Sequence, residues 1–103
     1  MKLINKEEFN NMKNESGLKV VDFFATWCGP CKMLAPVLEE LSEEMGDSVE
    51  IVKIDVDENM DLAMEYQVST VPTVVFMKDG QEVARKVGFS PKVALKAEIE
   101  NYI

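Results

Sequence analysis

Cys28 and Cys31 stand three positions apart with Gly29 and Pro30 between them, and the chain has no other cysteine. Two thiols at that spacing can close a structural disulfide, help to hold a metal, or exchange electrons with another disulfide. A loop this short would contribute only about 2 kcal/mol as a staple in the chain-entropy model, and a reducing compartment would keep it open. A four-ligand zinc site would have to add carboxylates or a second chain, because the sequence contains no histidine. Thiol–disulfide exchange is the chemistry that C-x-x-C amid alternating strand and helix patterns favours.

The elements on either side of the pair give the two sulfurs unequal expected roles. Val20-Val21-Asp22-Phe23-Phe24-Ala25 is a near-continuous apolar run, the pattern of a strand buried on both faces, and a helical pattern begins near Pro30. Such a junction sets sulfur at a helix N-terminus, where unpaired N–H groups and the positive end of the macrodipole favour a thiolate. Cys28, at the very start, is expected to be the more exposed and more acidic sulfur and to attack a substrate disulfide. Cys31, one turn deeper, is expected to displace the substrate and leave the pair oxidised. Gly29 allows close backbone approach, and Pro30 fixes φ while removing a donor that would have had no partner.

Asp22 is the one charged residue in the apolar run, and desolvation there raises a carboxyl pKa. From position alone it is equally a proton acceptor for Cys31 or a structural carboxylate paired with Lys53, whose stem can cross apolar surface to bring its ammonium near. Lys53 lies in Val49-Glu50-Ile51-Val52-Lys53-Ile54-Asp55-Val56, the next strand pattern, which a crossing helix makes parallel to the first.

The remaining elements frame this unit. Residues 2–4 read as an edge strand, and Asn5 caps a helix over about 6–14 with Glu7 and Glu8 in its first turn. The helix from about Pro30 to Met45 has an apolar stripe of Met33, Leu34, Val37, Leu38, Leu41 and Met45, with Pro36 inside it and Gly46 ending it. A short helix follows over 59–66. Thr73 to Met77 and Gln81 to Val87 flank Lys78-Asp79-Gly80, a turn that predicts an antiparallel hairpin. The last helix begins near Ser90-Pro91, with serine as cap and proline at the first helical position, and carries Leu95, Ile99 and Tyr102 on one face. The order β-α-β-α-β-α-β-β-α predicts an α/β fold with a mixed central sheet flanked by helices on both faces; periodicity leaves the strand order open.

Trp27-Cys28-Gly29-Pro30-Cys31-Lys32, with Asp22 upstream and Val71-Pro72-Thr73, Asp79-Gly80 and Gly88 downstream, closely resembles the thioredoxin family over essentially the whole chain. The resemblance implies the thioredoxin fold and a protein-disulfide reductase and electron carrier. It favours a catalytic part for Asp22, modulated by Lys53. It also implies a cis Val71–Pro72 bond, with Val71 pairing an extended substrate, and a docking groove of Trp27, Gly29, Pro30, Val71, Pro72 and Gly88. Gly-Pro between the cysteines goes with reductants in this family, whereas oxidising relatives usually carry a histidine there. The alternatives are a disulfide oxidant or isomerase, and a redox-independent binding subunit. Phe24 replaces the second tryptophan of many relatives, and Thr26 and Thr70 occupy positions that vary among them. The partners implied are a flavoprotein thioredoxin reductase and disulfide-containing target proteins. No nucleotide-binding loop is present, so the chain is expected to need no cofactor of its own.

Composition bounds these readings. At 103 residues and 47% apolar, the chain fits one domain spanning 1–103. A net charge of −8 and a pI near 4.5 argue against nucleic acid or an anionic membrane as partner. The N-terminus has no long apolar stretch of the secretory kind, and no segment approaches the roughly 18 apolar residues of a membrane span. A cytoplasmic monomer is expected.

Overall fold

A computed structural model describes all 103 residues. In chain order the elements are β1 (Lys2–Leu3), α1 (Lys6–Met12), β2 (Leu18–Phe24), α2 (Gly29–Met45), β3 (Val49–Asp55), α3 (Met60–Glu65), β4 (Thr73–Lys78), β5 (Gln81–Val87) and α4 (Lys92–Glu100). The five strands form one sheet in the order β1-β3-β2-β4-β5. β3 runs parallel to β2 and β1, whereas β4 runs antiparallel to β2 and β5, so the sheet is mixed as predicted. No helix is long and apolar enough to cross a membrane.

β2 lies mid-sheet with helices above and below, which is why its sequence is apolar on both alternations. Leu18 and Val20 face one layer, where they meet Leu34, Leu38 and Leu41 of α2 and Leu95 and Ile99 of α4. Val21 and Phe23 face the other, against Phe9 and Met12 of α1 and Leu62 of α3. Asp22 belongs by alternation to the first face. The same parity puts Lys53 of β3 beside it, since the register pairs Asp22 with Lys53.

Local signals behave as their chemistry requires. Asn5 and Glu8 form a capping box, with Asn5 Oδ1 accepting from the Glu8 amide at 2.9 Å and Glu8 Oε1 accepting from the Asn5 amide at 3.1 Å. In the β4–β5 turn, Asp79 and Gly80 both have positive φ (52° and 88°), the backbone that a tight hairpin needs. Three expectations need correction. α4 ends at Glu100 with Asn101 as its C-cap, so Tyr102 lies beyond the helix rather than on its face, although it packs half-buried against the same core as Leu95 and Ile99. Met33 is 62% exposed and lies off the buried stripe, which Cys31, Leu34, Leu38 and Leu41 form at spacings of three and four. The α4 cap is Pro91, not Ser90: its backbone is extended (ψ 158°), its carbonyl accepts from the amides of Ala94 and Leu95, and no side chain caps the helix.

Candidate active site

Cys28 is the N-cap of α2, the position the strand-to-helix junction implied. Its extended backbone (φ −87°, ψ 117°) turns Sγ back over the first helical turn, where the Cys31 amide donates to it at 3.2 Å. Pro30 falls in that turn and removes one donor that would have had no partner. An amide donor and the positive end of a helix dipole are the surroundings that favour negative charge on a sulfur. Cys28 and Cys31 are joined as a disulfide with Cα atoms 5.3 Å apart.

The expected exposure difference between the sulfurs is absent, since both residues are 4% exposed. Each covers the other, and Ala25, Phe24, Val56 and Val71 enclose the pair. What separates them is direction. Cys28 Sγ lies 3.6 Å from the Val71 carbonyl oxygen, toward the exposed loops, while Cys31 lines a cavity of about 220 Å³ that also contains Asp22, Phe24, Thr26 and Lys53.

Asp22 reaches this cavity from β2, 2% exposed, and its Oδ1 has no donor in the protein. Burial pushes its carboxyl up to about 7, against a smaller opposing pull from Lys53. The Lys53 ammonium stands 5.7 Å from the centroid of the Phe24 ring. Phe24, where many relatives have tryptophan, thus offers the cation an aromatic face. The arrangement brings together the inner sulfur of the disulfide, a carboxyl that titrates near neutrality and a lysine.

On the outer side, Val71–Pro72 is cis. Pro72 is buried, Val71 is half-buried, and the Pro72 carbonyl accepts from the Gly88 amide at 2.8 Å. Gly88 has φ +87°, the conformation that favours glycine, and a Cβ there would meet nothing within 4 Å. Gly29 likewise has open space where a Cβ would stand, so no neighbour within the chain demands glycine. Trp27 is 70% exposed and is no core aromatic. Its indole N–H donates to Asp57 Oδ2 at 2.9 Å. Asp57 was missed in the sequence. The available signal was Asp55-Val56-Asp57 after β3, which forms a turn in which Asp55 Oδ1 accepts from the Asp57 amide at 2.9 Å.

Comparison with known proteins agrees with this geometry. The thioredoxin family model matches residues 1–101. Thioredoxin of Bacillus subtilis (strain 168) is 52% identical over 91 residues, 88% of each chain, and thioredoxin of Staphylococcus aureus (strain Mu50 / ATCC 700699) is 50% identical over the same length and coverage. A mutant thioredoxin from Halobacterium salinarum NRC-1 superposes with a TM-score of 0.91 at 41% identity, covering 98% of this chain and 88% of that one. Thioredoxin from Malassezia sympodialis gives 0.91 at 38% identity, covering 99% and 90%. With family-level identity along nearly its whole length and a C-x-x-C disulfide at the start of α2, the chain belongs to the thioredoxin family and is a thiol–disulfide oxidoreductase.

Proposed function

We propose that residues 1–103 act as one monomeric domain that carries electron pairs in the cytoplasm from a flavoprotein thioredoxin reductase to disulfides in target proteins. The Cys28 thiolate attacks a target disulfide, forms a mixed disulfide and releases one target thiolate, which takes a proton from water. Cys31 then gives its proton to the Asp22 carboxylate and attacks Cys28 Sγ. The second target thiolate leaves, and Cys28–Cys31 closes as a disulfide. Two electrons pass to the target, and the reductase returns them. Lys53 modulates Asp22 through charge. Trp27, Gly29, Pro30, Val71, Pro72 and Gly88 form the docking surface, with the Val71 backbone pairing an extended target segment.

The observation that carries this reading is the disulfide seated between a helix N-terminus on one side and a buried carboxyl with pKa about 7 on the other. One sulfur is thereby suited to be an anion and the other to lose its proton late. Insulin-disulfide reduction, coupled to a thioredoxin reductase and NADPH, tests it. Steady turnover is expected, and Cys31→Ser should abolish turnover while accumulating a covalent adduct through Cys28. Normal turnover by that variant would refute the division of roles. A reduction potential in the range of oxidising family members would select the oxidant alternative instead.

A further inference from the structure

Arg85 sits on β5 opposite Val75, on the sheet face covered by α1 and α3. Its guanidinium reaches the end of α3, where Nη2 donates to the Tyr66 carbonyl at 2.7 Å and Nη1 to the Gln67 carbonyl at 3.4 Å. Glu82 braces the same group in a two-point contact, Nε to Oε2 at 2.6 Å and Nη2 to Oε1 at 2.8 Å. On a regular strand, residues three apart point to opposite faces, and Glu82 would turn away from Arg85. A β-bulge resolves the conflict. The register runs Val75↔Arg85 and Phe76↔Ala84, then jumps to Met77↔Glu82, leaving Val83 unpaired and bringing Glu82 round to the face of Arg85.

What the guanidinium holds is a helix end with an awkward residue. α3 closes with the Gln67 amide on the Met64 carbonyl at 3.0 Å and the Val68 amide on the Ala63 carbonyl at 2.8 Å, the paired bonds of a Schellman motif. That motif sets the residue after the cap in the left-handed region, where glycine is the usual occupant; here it is Gln67, at φ +53°. The carbonyls of Tyr66 and Gln67 then turn to Arg85. Four residues on stands Val71, and the far end of this segment is pinned where Thr73 Oγ1 donates to the Thr70 carbonyl at 2.7 Å.

We propose that Arg85, braced by Glu82 across the bulge, is a positioning residue for target docking. It fixes the start of the Gln67–Val71 segment so that the Val71 backbone is already placed when an extended target segment arrives. This rests on the substrate-pairing role given to Val71 above. The benefit is preorganisation, since a loop held in its bound conformation loses less entropy on binding. A small disulfide with no chain to pair gains nothing from it.

The test compares Arg85→Ala, Arg85→Lys and Glu82→Gln with the unaltered chain, using insulin as protein disulfide and DTNB as small disulfide. Arg85→Ala is expected to raise KM for insulin about fivefold with kcat and the DTNB rate constant within about twofold. Arg85→Lys and Glu82→Gln should fall between, because a lysine keeps one donor but not the fork. Unchanged insulin KM in Arg85→Ala overturns the proposal. So does a parallel loss on insulin and DTNB in all three variants, which marks general destabilisation. Amide exchange on the trapped Cys31→Ser mixed disulfide separates the two layers of inference. If the Val71 amide gains no protection there, the pairing role itself fails; if it does while insulin KM ignores Arg85, the positioning role alone fails.

Discussion

The two faces of β2 are buried to the same degree and put to opposite use. On one, Val21 and Phe23 are 0% exposed in an apolar cluster with Phe9, Ile54 and Leu62. On the other, Leu18 and Val20 follow the same rule beneath α2, but the next residue on that face is Asp22, 2% exposed, with its carboxyl at about 7. The first face converts burial into stability. The second gives up stability at one position to keep a carboxyl that can take or lose a proton near neutrality. Substitutions on the two faces should therefore differ in sign.

The largest expected effect is on the apolar face. Phe23→Ala removes a fully buried ring and should cost about 3–5 kcal/mol in denaturant unfolding at any pH where the chain folds. A cost under about 1 kcal/mol would mean the cluster collapses around the gap.

Asp22→Asn should do the reverse. Asp22 rises from 3.8 to about 7 on folding, so between those values the native state holds a proton that the unfolded chain has released. Stability from this group is therefore full below about pH 4, falls as pH rises, and is lost above about pH 7. The asparagine variant lacks that loss and should be more stable than the unaltered chain by about 2–4 kcal/mol at pH 8, with the gap closing below pH 4. The same substitution should slow resolution of the mixed disulfide much more than initial attack, and remove the rise in the resolving rate through pH 7. Stabilisation without slowing would separate the carboxyl from the mechanism.

Smaller effects sharpen the picture away from β2. Gln67→Gly at φ +53° should stabilise by about 1 kcal/mol, because glycine adopts the left-handed backbone without a Cβ clash. Destabilisation there would show that the glutamine side chain contributes more than its backbone costs. Met33→Gln, 62% exposed on α2, should change stability by less than about 0.5 kcal/mol. A large loss at Met33 would return it to the buried stripe.

Much of the fold was legible because its causes are local. Asn5 and Glu8 lie within one turn and satisfy each other there, so their spacing implies the cap. Asp79-Gly80 tolerates positive φ, which makes the hairpin readable from a few residues. The C-x-x-C at a strand-to-helix junction is local too, and the N-cap position of Cys28 follows from it. Expectations based on what surrounds a residue did worse. Met33 matched the helical period, yet the period does not say where the buried sector ends. The exposure assigned to Cys28 overlooked the cover that Val71 and Val56 bring from distant parts of the chain.

The chain itself, read alone, determined the helices, the apolar strands, the hairpin turn and a reactive cysteine pair with a carboxyl in the strand before it, since each depends on neighbours within a few residues. Tertiary structure decided what depends on two distant segments meeting. It set β2 between β3 and β4, brought Lys53 beside Asp22, held the Trp27 indole on Asp57, and turned Glu82 to Arg85 through a one-residue slip in strand register. The physical reason is range: backbone preference and capping act over a turn, whereas desolvation, register and charge pairing exist only once the layers have packed.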